Sequence, residues 1–220
     1  MGWRLADTHA AFIHANTAIE VPPLIPEIRL HLATEIVPIW RASEDALAEL
    51  GVPPPYWAFA WAGGQALARY ILDNPEIVAG RIVLDFASGS GLAAIAAAMA
   101  GAETVTAADI DPYASAAIGL NAALNGVSVE VTSGDIIGSM GPWDVVLAGD
   151  ICYERPLADR VTAWLRSLSE AGITVLLGDP GRTYLPKNGL DWLVRYAVKT
   201  TRELEDTDVR NAVVWRFAQS

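Results

Sequence analysis

The segment from Arg81 to Asp111, RIVLDFASGSGLAAIAAAMAGAETVTAADID, constrains this chain more than any other. Ile82-Val83-Leu84 is a short apolar run ending at an acid, Asp85, and reads as a strand buried on both faces. The small residues Ala87-Ser88-Gly89-Ser90-Gly91 follow as a turn. Leu92 to Ala100 is then nearly all alanine, with Leu92, Ile95 and Met99 on one face, a helix able to pack closely on a sheet. A second strand, Thr104 to Ala108, carries Asp109 at its carboxyl end. Strand, glycine loop, helix, strand and acid in this order predict an open α/β sheet that takes a nucleoside at the carboxyl ends of its strands.

Downstream the same alternation continues. Pro112 starts a helix to about Leu124, where proline is tolerated in the first turn. Val127 to Thr132 reads as a third strand, followed by Gly134-Asp135-Ile136. Val145 to Ala148 is a fourth, followed by Gly149-Asp150-Ile151-Cys152-Tyr153-Glu154. Leu157 to Leu168 is an amphipathic helix, and Ile173 to Leu177 a fifth strand ending in Gly178-Asp179-Pro180-Gly181-Arg182. A helix near Leu190 to Arg195 precedes two late strands, Ala197 to Arg202 and Ala212 to Phe217, which can pair as a hairpin. The predicted fold is α/β: a doubly wound, seven-stranded, mostly parallel sheet with a C-terminal antiparallel hairpin.

Upstream, residues 3–20 read as a helix and Val21 to Pro26 as a rigid connector. Glu27 to Val37 reads as a short helix-like segment, and Ser43 to Leu50 as a helix capped by Ser43 and stopped by Gly51. The predicted organisation is an N-terminal helical extension, residues 1–55, packed on an α/β domain, residues 56–220. Between them Pro53 to Gln65 holds Tyr56, Trp57, Phe59 and Trp61, which fit neither helical nor strand periodicity. Such rings can wall a cofactor pocket or simply cap the sheet.

Composition narrows the chemistry. With 52% hydrophobic and 19% charged residues, the chain is of the globular and not the disordered kind. No apolar window is long enough for a membrane span, and the N-terminus lacks the pattern of a secretory or transit peptide. Cys152 is the only cysteine, so neither an intrachain disulfide nor a thiolate metal site is expected, and a cytoplasmic setting is. His9 and His14 are not at the one-face spacing of a helical metal pair, and no metal is expected. A net charge of -11 repels phosphate backbones, arguing against nucleic acid, and favours basic partners.

The glycine loop admits two cofactors. Gly89-x-Gly91-x-x-Ala94 with Asp109 downstream fits a dinucleotide fingerprint, but Asp85 at the turn would repel a pyrophosphate. An ammonium and a sulfonium would instead be favoured there. The loop resembles the Asp-x-Gly-x-Gly-x-Gly loop of class I methyltransferases, with Ala87 in the first glycine position. Asp150-Ile151-Cys152-Tyr153 is similar to the Asp/Glu-x-x-Phe/Tyr motif of the seven-strand protein lysine methyltransferases, and Trp61, Leu67 and Tyr70 to their Trp…Leu…Tyr segment. Within that group, Trp57 to Leu67 and Gly178 to Arg182 look most like the electron transfer flavoprotein beta-subunit lysine methyltransferases. This resemblance covers the chain from about residue 20.

The resemblance implies a Rossmann-like class I methyltransferase that uses S-adenosylmethionine to methylate lysine in a protein, the electron transfer flavoprotein beta subunit, with a monomer favoured. Asp85 and the loop Ala87, Ser88, Gly89 and Gly91 would face the methionine end of the cofactor. Asp109 would hold the ribose, with Ile110 beside it. Asp135 and the Ile136 N–H would meet the adenine, and Trp61 and Gly149 would line the cleft. Trp57, Asp150 and Tyr153 would bind substrate, the latter two as catalytic residues. Asp150, taken as an exposed carboxylate, would orient the amine, or it would cap the helix that follows. Cys152 is expected to be a packing residue. A small-molecule N-methyltransferase, with the N-terminal extension as its lid, and a ribosomal-protein methyltransferase remain alternatives.

Overall fold

The computed structural model describes residues 2–33 and 54–218. Its centre is a seven-stranded sheet in the order β5-β4-β3-β6-β7-β9-β8. The strands are β3 (Ile82–Phe86), β4 (Thr104–Asp109), β5 (Glu130–Ser133), β6 (Val145–Gly149), β7 (Thr174–Asp179), β8 (Leu190–Lys199) and β9 (Val209–Phe217). Strands β3 to β7 are parallel, while β9 runs antiparallel between β7 and β8. The chain winds outward from β3 to β4 on one side and to β6 on the other. A crevice therefore opens at the carboxyl ends of these three strands.

Residue alternation assigns the two faces. Val83, Val145, Leu147 and Leu176 join one core with helices α2 (Ala62–Asp73) and α3 (Leu92–Met99). Leu84, Val146, Ala148, Val175 and Leu177 point into a second core under α5 (Arg155–Glu170). The alanines of α3 let it lie close against its neighbours, and residues 92–97 are all buried.

The N-terminal region departs from the helix read over residues 3–20. Helix α1 spans Gly2–Asn16 and stops where Asn16 and Thr17 donate side-chain hydrogen bonds back to the carbonyls of Phe12 (2.8 Å) and Ile13 (2.7 Å). Ala18–Glu20 (β1) then pairs antiparallel with Leu30–Leu32 (β2). Within Glu27 to Val37, no described residue is helical, and residues 30–32 are thus a strand. Its backbone is recruited by α4 (Pro112–Leu124) and its C-cap: Asn125 accepts from Arg29 N at 2.9 Å and Asn121 from His31 N at 2.8 Å. The Ser43 to Leu50 helix lies outside the described residues.

The helix expected near Leu190 to Arg195 is also replaced, by the first half of β8. A register irregularity between Trp192 and Val194 breaks the period-two pattern that would have signalled it. Trp, Val and Tyr there favour a pleated surface, and β9 supplies the pairing. A four-residue helix, α6 (Arg202–Glu205), joins the two strands. Among the described residues no helix is long and apolar enough to cross a membrane.

Candidate active site

The glycine loop leaves β3 through three left-handed residues, Ala87 (φ 52°), Gly89 (φ 55°) and Gly91 (φ 83°). A Cβ at Gly91 would lie 3.3 Å from Ile118 Cα, so both conformation and space call for glycine there. Asp85 turns back under the loop, accepting from Ser88 Oγ at 2.5 Å and from Ala94 N in the first turn of α3 at 3.0 Å. Asp109, at the end of β4, accepts from Gly89 N (2.9 Å) and Asp111 N (3.0 Å). Asn121 ties the loop to α4 by donating to Ser90 O at 2.8 Å.

Neither Asp85 nor Asp109 has a cationic partner among the described residues. Burial pushes the Asp85 carboxyl up to about 7, opposed by its two hydrogen bonds and reinforced slightly by Asp109. Burial likewise raises Asp109 against the pull of its backbone donors. Ile110, immediately beyond, is largely exposed.

The second half of the site is built around Asp150, a left-handed residue (φ 54°) just past β6. Its Oδ2 accepts from Gly64 N, in the first turn of α2, at 2.9 Å, and its Oδ1 from Arg182 Nη2 at 2.9 Å. The side chain is only 9% exposed. Burial raises its carboxyl to about 7. Arg182 opposes that rise, while Glu205 and Asp179 add to it. The approach of α2 depends on glycine pairs. A Cβ on Gly178 would fall 2.1 Å from Gly63 O, and one on Gly63 would fall 2.3 Å from Gly178 O. Gly149 faces Gly64 in the same contact.

Tyr153, three residues past Asp150, and Tyr56 are exposed, and Trp61 is half-buried. Tyr153 and Tyr56 have ring centroids 5.7 Å apart, Tyr56 and Trp61 6.1 Å, and Trp61 donates its indole N–H to Tyr56 O at 2.9 Å. The Arg182 guanidinium lies over the Trp61 ring, 5.6 Å from its centroid.

The structure thus brings Asp85, Ala87, Ser88, Gly89, Gly91 and Asp109 into one loop system, and Gly149, Asp150, Trp61 and Tyr153 into an adjoining cluster. Two expectations need correction. Asp150 is buried and not exposed, its side chain only 9% accessible, and it does not cap α5, whose N-cap is Glu154; it serves the N-terminus of α2. Trp57 is 3% exposed and packs with Ile13, Ala114 and Ala117, stacked on Tyr113, while Tyr56 takes the exposed position beside Tyr153. Asp135, beside Ile136, is exposed, with Oδ2 held by Arg160 at 2.8 Å and Oδ1 by Ile137 N at 3.0 Å, and Arg160 lowers its pKa. Cys152 is buried with its thiol pushed up to about 12, as suits packing.

Arg182, Glu205 and Tyr56 are the residues that sequence reasoning passed over. Arg182 and Tyr56 stood inside quoted motifs, whereas nothing local marks Glu205. Among the described residues no cluster of His, Cys, Asp and Glu is placed to hold a metal ion. A groove of about 560 Å³ lies at the opposite end of the sheet, where Arg81, Asp144, Val145 and Thr174 mark strand starts, and it takes no part in this site.

Comparison with known proteins places this geometry. The family model for ribosomal protein L11 methyltransferase matches residues 65–176. The electron transfer flavoprotein beta subunit lysine methyltransferase of Xenopus laevis is 42% identical over 94% of this chain and 86% of its own length. Its Homo sapiens counterpart is 39% identical over 94% of this chain and 81% of its own. Among solved structures, magnesium protoporphyrin IX methyltransferase from Synechocystis PCC 6803 with bound S-adenosylmethionine superposes with a TM-score of 0.52 at 18% identity, over 72% of this chain and 80% of that one. That likeness establishes a shared fold.

Proposed function

Because the chain belongs to the electron transfer flavoprotein beta subunit lysine methyltransferase family, we propose that it methylates a lysine of that flavoprotein subunit with S-adenosylmethionine as donor. The observation that carries this reading is a row of largely buried carboxylates, Asp109 and Asp85 on adjacent strands β4 and β3 and Asp150 just past the next strand, β6. Two strand spacings put the outer members about 10 Å apart. Among the described residues Asp85 and Asp109 pair with no cation, so a ligand bringing an ammonium and ribose hydroxyls suits them and a pyrophosphate does not. The bound cofactor supplies an electrophilic methyl group.

The residues around Asp150 must then prepare a nitrogen lone pair and align it for in-line displacement. A lysine side chain, with a pKa of about 10.4, is neutral in only about one molecule in 2,500 at pH 7, a deficit of roughly 4.6 kcal/mol. A carboxylate of ordinary pKa would be a poor acceptor for the excess proton. Burial holds the Asp150 carboxyl above the ordinary carboxylate range, which makes it a better proton acceptor than an exposed carboxylate. Asp150 therefore serves as orienter and as proton acceptor, and Tyr153 with Tyr56 forms the ring wall beside it. Asp135 and Ile136 stand as the adenine end of the cofactor site only if Asp135 gives up Arg160. A basic protein surface is drawn by the net charge of -11.

The test is labelled-methyl transfer to electron transfer flavoprotein by wild type and Asp150→Asn. The variant should lose at least about tenfold in rate, about 1.4 kcal/mol of transition-state stabilisation, with S-adenosylhomocysteine affinity nearly unchanged. Turnover of nicotinamide or another small amine, with proteins left unlabelled, would establish the small-molecule alternative instead.

A further inference from the structure

Arg182 does not pair with Asp150 in the way an unconstrained guanidinium would. A free pair forms two parallel N–H···O bonds. Here a single nitrogen, Nη2, donates to Asp150 Oδ1 at 2.9 Å and to Glu205 Oε1 at 3.1 Å. Arg182 Nε is buried without a hydrogen-bond partner, and the guanidinium plane is held over Trp61. Glu205 comes from α6, between the two strands of the terminal hairpin, and its side chain is 1% exposed. Its Oε1 also lies 3.5 Å from Ala62 N at the start of α2, and its Oε2 lies 4.0 Å from Arg210 Nε. Glu205 thus pulls on the one cation that would otherwise neutralise Asp150.

The charge balance points the same way. The groups facing Asp150 are Arg182, Glu205 and Asp179, with the Gly64 N–H from α2 and the buried Cys152 thiol. Asp179 spends Oδ1 on the N–H groups of Gly181 and Arg182, both at 2.7 Å, and its buried Oδ2 has no hydrogen-bond partner. With every group ionised, Asp150, Asp179 and Glu205 oppose Arg182 and Arg210, leaving one negative charge in excess. A single ammonium would cancel it.

We propose that Glu205 is a positioning residue that shares Arg182 with Asp150, so that Asp150 keeps an unneutralised oxygen for the substrate ammonium. This rests on the lysine-methylation reading above. Removing the charge of Glu205 hands Arg182 wholly to Asp150, whose carboxyl then becomes more acidic and a weaker proton acceptor. Removing Arg182 does the opposite.

The test is a carbon-13 aspartate titration of the full-length enzyme saturated with S-adenosylhomocysteine, with Asp150→Asn used to assign the resonance. In Glu205→Gln the Asp150 midpoint should fall by about half a pH unit or more, and in Arg182→Gln it should rise by a similar amount. Glu205→Asp keeps a charge for the two arginines but withdraws it by one methylene, so its midpoint should fall by less; it decides the matter should the glutamine variant not fold. In kinetics, Glu205→Gln should raise KM for the protein substrate about fivefold or more, with a smaller change in kcat. A midpoint unmoved in the folded Glu205 variants, with only thermal stability reduced, would reduce Glu205 to a structural tie and overturn the proposal. The titration needs no methyl transfer. Correct midpoint shifts without lysine methylation would therefore sink the activity reading alone, and methylation with unmoved midpoints would sink only this inference.

Discussion

Replacing Asp85 with asparagine should make the protein less sensitive to alkaline pH. Burial pushes the Asp85 carboxyl from an ordinary 3.8 to about 7, because Ser88 Oγ and Ala94 N only partly replace the water it has lost. A carboxyl harder to ionise in the folded than in the unfolded chain leaves stability intact below its unfolded pKa. That stability is lost progressively as pH rises toward the folded pKa. Three units correspond to about 4 kcal/mol over the whole range, of which roughly 2 kcal/mol falls between about pH 5.5 and about pH 8.5. Asparagine keeps the shape and one acceptor but cannot titrate. Urea unfolding followed by tryptophan fluorescence should therefore show wild type losing about 2 kcal/mol more than Asp85→Asn across that window. Bound S-adenosylhomocysteine, which carries an ammonium, should draw Asp85 toward its charged form. Calorimetry near pH 7 in buffers of different ionisation heat should then detect release of up to about half a proton from wild type and none from the variant. Parallel stability curves for the two proteins would refute the reasoning, since they would mean that Asp85 is not ionised at a cost.

Four further substitutions probe the scaffold. Ala87→Gly should stabilise by up to about 1 kcal/mol, because relief of a left-handed alanine, about 1–2 kcal/mol, exceeds the added chain entropy of glycine; chemical denaturation reads this directly. Gly178→Ala forces a methyl to 2.1 Å from Gly63 O, and should cost about 3 kcal/mol or more while weakening the Asp150 site. Trp57→Ala should cost about 3–5 kcal/mol in thermal or urea unfolding, as expected of a buried ring. Trp61→Ala should cost far less stability, forfeiting mainly the Arg182 contact of about 0.5–2 kcal/mol, and should show instead in methyl-transfer rate.

The organising unit from β3 to Asp109 was legible in the sequence because all its signals are local. A buried strand announces itself by an apolar run, the turn by small residues, and the helix by alanine. Their order fixed the parallel topology, and with it the edge of the sheet where Asp85, Asp109 and Asp150 gather. The failures share one physical cause, which is that tertiary partners overrode local pattern. The strand Leu30–Leu32 exists because asparagines of α4 and of its C-cap hold the strand's backbone, roughly ninety residues away in the chain. In β8 a bulge scrambled the alternation that would have identified it.

The same cause hid half of the site. Glu205 reaches Arg182 only because β9 inserts antiparallel between β7 and β8, which folds the hairpin connection back over the ends of the parallel strands. The glycines were visible, but as turn signals. Their function is spatial: Gly63 and Gly178 let the first turn of α2 press against β7 with no side chain between them. That contact aims the Gly64 N–H, and the positive end of the helix dipole, at Asp150. Without it the carboxylate would have Arg182 as its only hydrogen-bond donor among the described residues. With a fixed backbone donor on Oδ2, the carboxylate keeps an anchor that does not depend on Arg182, which Glu205 shares. The glycine pair is thus a condition of the Asp150 geometry as much as of the packing.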